Sequence, residues 1–89
     1  LFGLEKAPAE TKAAPTLEFG GHLVSATPYL EAGQWQLCGV ISKEIDGVRK
    51  EHRFIRADRF TDRETAIEMT FLKARLLVEQ SGDRLYDRA

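Results

Sequence analysis

The alternation of apolar and polar residues in the middle of the chain predicts three antiparallel β-strands. A short run at 22–27 lies between a Gly-Gly break and a proline, the strongest strand covers 35–43, and a returning strand covers 49–57. Asp46-Gly47, between the last two strands, is the signal for a two-residue hairpin turn. Short connections join consecutive strands, so the sequence predicts a three-stranded antiparallel β-meander.

After residue 60 the apolar spacing changes from that of a strand to that of a helix. Thr61 and Glu64 are spaced as a capping box, in which a hydroxyl and a carboxylate satisfy unpaired N–H groups at a helix start. Gly82 stands where the C-terminus of a helix favours glycine. We therefore expect one long helix from Thr61 to about Gln80, packed on the sheet, which gives an α+β fold.

The expected helix carries two apolar stripes. The broad stripe is wide enough to cover a sheet and consists of Ala66, Ile67, Thr70, Phe71, Ala74, Leu77 and Val78. A second, separate stripe is formed by Met69, Leu72 and Leu76. Exposed apolar patches are uncommon on monomers, so we expect a homodimer with the second stripe or the outer sheet face at its interface. The alternative is that Leu85-Tyr86, together with Leu17 and Phe19, folds over this stripe.

The chain has 89 residues, which is the size of one domain. Residues 5–16 contain no large apolar side chain, so we expect 1–16 to be a flexible N-terminal tail and 17–89 to be a single compact domain. No apolar run approaches the ~20 residues that a membrane helix needs, so no integral membrane insertion is expected. A weaker alternative is a membrane-surface protein, in which Leu1-Phe2-Gly3-Leu4 continues an upstream interfacial helix.

The sequence contains no residue pattern typical of catalysis or of a metal centre. Glu51 is adjacent to His52 in a strand and points to the opposite side, so the two do not form a metal site, and His22 is expected to be structural or exposed. Cys38 is the single cysteine, which excludes an intrachain disulfide, and its mid-strand position indicates a buried, unreactive thiol. We expect a protein that is not an enzyme and has no cofactor.

Positive charge is concentrated in the returning strand and the segment that follows it. Residues 49–63 carry six basic against three acidic side chains, whereas residues 1–48 carry three basic against six acidic. The cations that could contact a nucleic-acid backbone are Arg49, Lys50, Arg53, Arg56 and Arg59. A two-stranded ribbon also fits the major groove of DNA. However, strand alternation separates Arg53 from Arg56, so a solvated strand whose charges pair with neighbouring carboxylates is the alternative.

Three segments of the chain carry a resemblance to a known family. They are Glu51-His52-Arg53-Phe54-Ile55-Arg56-Ala57-Asp58, the helical segment 66–75, and Gly82-Asp83-Arg84-Leu85. Over residues 17–86 the sequence is similar to the small bacterial HlyU family, whose members are labelled transcriptional activators of haemolysin expression. The resemblance implies a cytoplasmic transcriptional regulator, and it brings no established catalytic or ligand-binding residues.

Two functions therefore remain open. The first is a transcriptional regulator that contacts DNA through the five cations. The second is a small dimeric protein-interaction module that does not contact DNA and acts through the second apolar stripe, with another regulatory protein as a further partner class. One exposed cationic surface would favour the first function. Pairing of the cations with Asp58, Asp62 and the carboxylates of the helix would favour the second.

Overall fold

The protein is an α+β domain in which one long helix packs on an antiparallel sheet of five strands, not the three that the sequence predicts. The computed structural model describes residues 14–87. Its strands are β1 (Thr16–Phe19), β2 (His22–Ala26), β3 (Tyr29–Glu31), β4 (Gln34–Ile45) and β5 (Val48–Phe60). The helix α1 (Arg63–Ser81) is followed by a 3₁₀ helix at Gly82–Tyr86. Most of the expected tail, including Leu1-Phe2-Gly3-Leu4, lies outside the described residues.

The two additional strands are β1 and β3, which are short and mostly exposed. β1 pairs with β2 across Gly20-Gly21, where both glycines have positive φ, and β3 pairs with the start of β4 across Ala32-Gly33. Neither strand alternates between apolar and polar residues in a way that buries one face, so the sequence pattern does not mark them. β3 can pair because β4, with 12 residues, is long enough to accommodate β2 and β3 in succession along one side, whereas β1 extends the sheet beyond β2.

A long hairpin of β4 and β5 forms the centre of the sheet. Both strands extend beyond the predicted ranges, and the Asp46-Gly47 turn is confirmed, with φ of 53° and 79° at these two residues. Such positive values at both central residues match the right-handed twist of the flanking strands. The regular pairing is interrupted where Gln36 pairs with Arg59 but Cys38 pairs with Ile55, so β5 bulges between these two pairs.

The helix begins at a different cap from the one predicted. Asp62, not Thr61, is the N-cap residue, and its Oδ2 accepts a hydrogen bond from the Thr65 backbone N–H at 3.0 Å. The capping box of Thr61 and Glu64 is therefore wrong, because a carboxylate one residue later satisfies the N–H and also lies at the positive end of the helix dipole. The predicted C-cap is confirmed at Gly82, which has a φ of 56° and donates its N–H to the Val78 carbonyl.

The hydrophobic core lies between one face of the sheet and the broad stripe of α1. We call this sheet face the inner face and the opposite one the outer face. The buried core residues are Val24, Leu37, Ile41, Phe54, Ala74, Leu85 and Tyr86. Leu85 and Tyr86 are buried in this core, and their 3₁₀ helix closes one end of it.

The helix approaches the sheet closely at Gly39. A Cβ atom at this position would lie 2.7 Å from Cγ2 of Thr70 and 2.8 Å from Cζ of Phe54. Both neighbouring side chains are buried. The position therefore excludes larger residues because of space, since a side chain here would occupy the contact between β4 and α1.

Candidate nucleic-acid interface

The register of the β4–β5 hairpin assigns each cation of β5 to a face of the sheet. Gly39 faces α1 and pairs with Phe54, so alternation places Phe54 and the even-numbered residues near it on the inner face. Arg59 pairs with Gln36, which alternates with the inner residue Leu37. The outer face thus carries Arg49, Arg53 and Arg59, whereas the inner side carries Lys50 and Arg56. The structure divides the predicted cluster between the two faces.

The three outer arginines have few partners. Arg49 Nε donates to Glu51 Oε2 at 3.1 Å, and both side chains are more than half exposed. Arg59 Nε donates to the neutral side-chain oxygen of Gln36 at 3.0 Å. The side chain of Arg53 is exposed and makes no hydrogen bond or ion pair within residues 14–87. Because an exposed ion pair contributes little, these guanidinium groups are available to an anionic partner.

Apart from Glu51, the carboxylates that could neutralise the cations of β5 are engaged elsewhere or do not pair with them within residues 14–87. Asp62 caps α1, and Glu79 pairs with Arg75 of the same helix at 3.4 Å. Among the described residues, no ion pair joins a β5 cation to Asp58 or to a carboxylate of α1. Within residues 14–87, the cations of β5 therefore do not pair with Asp58, Asp62 or the carboxylates of α1, and the ion pair that β5 does contain joins Arg49 to Glu51.

The two inner cations have different surroundings. The guanidinium of Arg56 lies 5.9 Å from the centroid of the Phe54 ring, at cation–π distance, and the backbone carbonyl of Arg56 accepts a hydrogen bond from the Gln36 amide. Lys50 pairs across the hairpin with Lys43, so two like charges lie opposite each other there. Neither side chain shares the surface of the outer arginines.

A shallow groove of about 420 Å³ lies at one end of the outer face. Its lining residues are Glu18, Gly21, Leu23, Ser42, Lys43, Glu44 and Arg49. Two carboxylates and two cations balance each other there. The groove therefore offers no net charge to attract an ionic ligand, and Arg49 is the one outer arginine that belongs to its lining.

His22 has a structural role. Its side chain is buried, its Nδ1 lies 2.7 Å from the Tyr86 hydroxyl, and its Nε2 lies 3.7 Å from Asp83 Oδ1. Asp83 also accepts a hydrogen bond from Lys43 Nζ at 2.9 Å. Burial lowers the pKa of His22, the charge of Lys43 lowers it further, and Asp83 partly opposes both effects. A neutral His22 thus fastens the 3₁₀ helix to β2.

The remaining candidate residues do not form a reactive site. Cys38 is buried, as predicted, and its Sγ accepts a hydrogen bond from Thr27 Oγ1 at 3.5 Å. His52 lies on β5 opposite Ile41, whereas His22 lies on β2, and β4 runs between these two strands. Within residues 14–87, no three His, Cys, Asp or Glu side chains are arranged to hold a metal ion.

The second apolar stripe of α1 is only partly covered. Met69 packs against the edge of the core, whereas Leu72 and Leu76 are 45% and 41% exposed. Of the residues that the alternative expects over this stripe, Leu85 and Tyr86 enter the core and Leu17 is exposed, whereas the half-buried Phe19 ring lies 5.2 Å from the guanidinium of Arg75 on α1. Leu72 and Leu76 therefore remain a small apolar surface on the solvent side of the helix.

β5 is an edge strand, a feature that the sequence pattern does not predict. β5 has 13 residues and pairs only with β4, so its other side has no neighbouring strand among the described residues. The density of charged residues in β5 was the available signal, because edge strands commonly carry charges.

The outer face of the β4–β5 hairpin is thus an open surface that carries cations and that α1 does not cover. The model of the family described as transcriptional activator HlyU matches residues 1–86 of the chain. The protein therefore belongs to the HlyU family, as the three sequence segments indicated. No curated protein and no solved structure matches this chain. None of the helices within residues 14–87 is both long and apolar enough to cross a membrane.

Proposed function

We propose that this protein is a non-enzymatic transcriptional regulator that contacts DNA through the outer face of the β4–β5 hairpin. Membership of the HlyU family supports the general class. The observation that carries the DNA contact is that Arg49, Arg53 and Arg59 share one sheet face that α1 does not cover. A cytoplasmic location follows from this function.

The proposed contact is with the phosphate backbone rather than with the bases. Residues of a strand rise by about 3.3 Å each, so Arg49 and Arg53 project from points roughly 13 Å apart along β5. Arginine matches phosphate oxygens with two parallel N–H donors, and such contacts position a protein without reading sequence. Lys50 and Arg56 lie on the other side of the sheet and are not part of this proposed surface.

The proposed DNA contact depends on the local charge of β5 and not on the net charge of the chain. The whole chain has a formal net charge of −1, so no global field draws it to DNA. Binding then depends on the few arginines of β5 and should weaken steeply as salt rises. With three phosphates neutralised per protomer, the logarithm of the binding constant should fall with the logarithm of the salt concentration with a slope of about −2.7.

Fluorescence anisotropy with random duplex DNA over a salt series tests the proposal. Replacing Arg49, Arg53 or Arg59 with Gln should weaken binding and reduce the slope by about 0.9 for each residue. The matched controls are Lys50→Gln and Arg56→Gln, which remove the same charge from the same strand but on the inner side. We expect these controls to bind as the unmodified protein does.

Two results would contradict the proposed surface. Equal losses from inner and outer replacements would mean that net charge, and not the outer face, governs the affinity. The absence of binding even at low salt would remove the outer face as a general DNA-binding surface. The family membership would then point to regulation through a protein partner.

A second candidate function, a small dimeric protein-interaction module that does not contact DNA, is favoured by the exposure of Leu72 and Leu76. Two leucines four residues apart lie on the same side of a helix and can contact one partner surface. If they form a dimer seam, Leu72→Gln with Leu76→Gln should give a folded monomer by light scattering. An unchanged dimer mass would reject that seam.

A further inference from the structure

We propose that two copies of this chain pair through the free edge of β5, antiparallel and centred on His52, so that their sheets become one continuous sheet. This arrangement would place the outer arginines of both copies on the same side. The pairing itself does not depend on DNA binding. Its value for DNA binding, a surface with the arginines of two copies, rests on the proposed function. Oligomeric mass and DNA binding are measured separately, so either can fail without the other.

The edges of the sheet differ strongly in length. β1 and β3 present edges of 4 and 3 residues, whereas β5 has 13 residues. A long edge strand presents a row of unpaired N–H and C=O groups, and proteins usually shorten or cover such an edge. β5 therefore provides the longest template for another strand within residues 14–87.

The hairpin turn identifies which residues of β5 direct their backbone groups to the free edge. In a two-residue hairpin, the closing pair, here Ile45 and Val48, exchanges both of its hydrogen bonds across the turn. Alternation from Val48 then directs the N–H and C=O groups of the odd-numbered residues away from β4. These residues are Arg49, Glu51, Arg53 and Ile55. Regular pairing with β4 continues up to Ile55, so the template is straight over 49–55.

Symmetry leaves few registers for such a pairing. A two-fold axis perpendicular to the sheet keeps the outer faces of both copies together, so the pairing must be centred on a residue. Centring on Glu51 would place Glu51 opposite itself and Arg49 opposite Arg53. Centring on Arg53 would place that arginine opposite itself. Like charges directly opposite each other are destabilising in a sheet, so both registers are disfavoured.

Centring on His52 makes the edge complementary to itself. Glu51 of each copy then lies opposite Arg53 of the other, which gives two opposite-charge pairs on the outer face. Arg49 lies opposite Ile55, whose side chain is 45% exposed in the single chain and would be covered by the aliphatic part of the arginine. Four residues of each copy direct both backbone groups to the seam, which corresponds to about eight hydrogen bonds.

Charge reversal with the full chain tests this register by light scattering. Glu51→Arg and Arg53→Glu each convert both pairs to like charges, and each should raise the dissociation constant of the dimer roughly tenfold or more. The double variant Glu51→Arg/Arg53→Glu restores opposite charges and should recover the dimer. A mixture of the two single variants should form a heterodimer, because one copy then carries two cations and the other two carboxylates.

The control is Leu72→Gln/Leu76→Gln, which changes the apolar surface of α1 and leaves the edge intact. We expect this variant to remain dimeric, and circular dichroism should show that every variant is folded. A monomeric unmodified protein would overturn the proposal. So would single variants that dimerise normally, or a double variant and a mixture that stay monomeric.

Discussion

Replacing Gly39 with alanine tests how closely α1 is seated on the sheet. The new Cβ would lie 2.7 Å from Thr70 Cγ2 and 2.8 Å from Phe54 Cζ, both shorter than side-chain carbons normally approach. Thr70 has 0% and Phe54 only 3% of its surface exposed, so neither can swing into solvent. The alanine must therefore displace the helix or the phenylalanine ring.

The expected cost follows from this crowding. Overpacking a well-packed core costs roughly 1–3 kcal/mol, and two buried neighbours place Gly39→Ala towards the upper end. Alanine also restricts the unfolded chain, which stabilises the folded protein by about 0.4–1 kcal/mol. We therefore expect the free energy of unfolding to fall by about 2 kcal/mol. A domain of this size is stable by only about 4–11 kcal/mol. The midpoint of thermal unfolding should fall by roughly 8–16 °C.

Urea denaturation followed by the fluorescence of Trp35, the single tryptophan, measures this loss. Thr70→Ser supplies the matched test, because it removes Cγ2 but keeps a hydroxyl that can donate to the Ala66 carbonyl, as Thr70 does at 2.7 Å. The double variant should be about 1 kcal/mol more stable than the two single losses added together.

Gly33→Ala is the control, since no atom lies within 4 Å of its added Cβ and its cost arises only from a φ of 78°. It should show no coupling to Thr70→Ser. A close contact between α1 and Gly39 is contradicted if Gly39→Ala leaves the free energy of unfolding unchanged, or if its effect adds to that of Thr70→Ser without coupling.

Three further predictions concern the N-terminus of α1 and the contact between β2 and the 3₁₀ helix that follows α1. Because folding lowers the pKa of His22, its contribution to stability is present above about pH 6.5 and is lost as the pH falls towards its folded pKa. Urea midpoints measured from pH 8 to 5 should therefore fall, and His22→Gln should diminish this fall. The same pH dependence in the variant and the unmodified protein would contradict this role of His22. Asp62→Ala should lower the free energy of unfolding in urea by about 1 kcal/mol, whereas Thr61→Ala should leave it nearly unchanged. A larger loss from Thr61→Ala than from Asp62→Ala would instead support Thr61 as the N-cap residue. Tyr86→Phe should cost about 1–3 kcal/mol, because it leaves Nδ1 of the buried His22 without its partner; a thermal midpoint equal to that of the unmodified protein would rule out this role.

Local sequence patterns were sufficient for the central hairpin and the helix. Asp46-Gly47 fixed the turn because few residue pairs adopt positive φ at both positions, and the broad stripe identified the face of α1 that packs on the sheet. The helix cap was wrong by one residue. Thr61, Asp62 and Glu64 all offer capping groups, and local spacing alone does not decide which of them lies at the turn.

The candidate site was predicted in part. Alternation correctly separated Arg53 from Arg56, since successive residues of a strand face opposite ways. The same alternation places Arg49, Arg53 and Arg59 on one face, and the irregular pairing after Ile55 keeps them there, because β5 advances by four residues where β4 advances by two. Which of the two faces α1 covers was decided by packing between residues distant in the chain.

The sequence by itself determined the elements whose information lies within a few neighbouring residues, namely the tight turn, the alternating strands and the amphipathic helix. The tertiary structure alone decided that β2 and β3 share one side of β4, which leaves β5 at the edge of the sheet. It also decided that Gly39 meets α1. Both outcomes depend on pairing and packing between residues distant in the chain, and no local periodicity records which strand will be a neighbour or how closely a helix will approach.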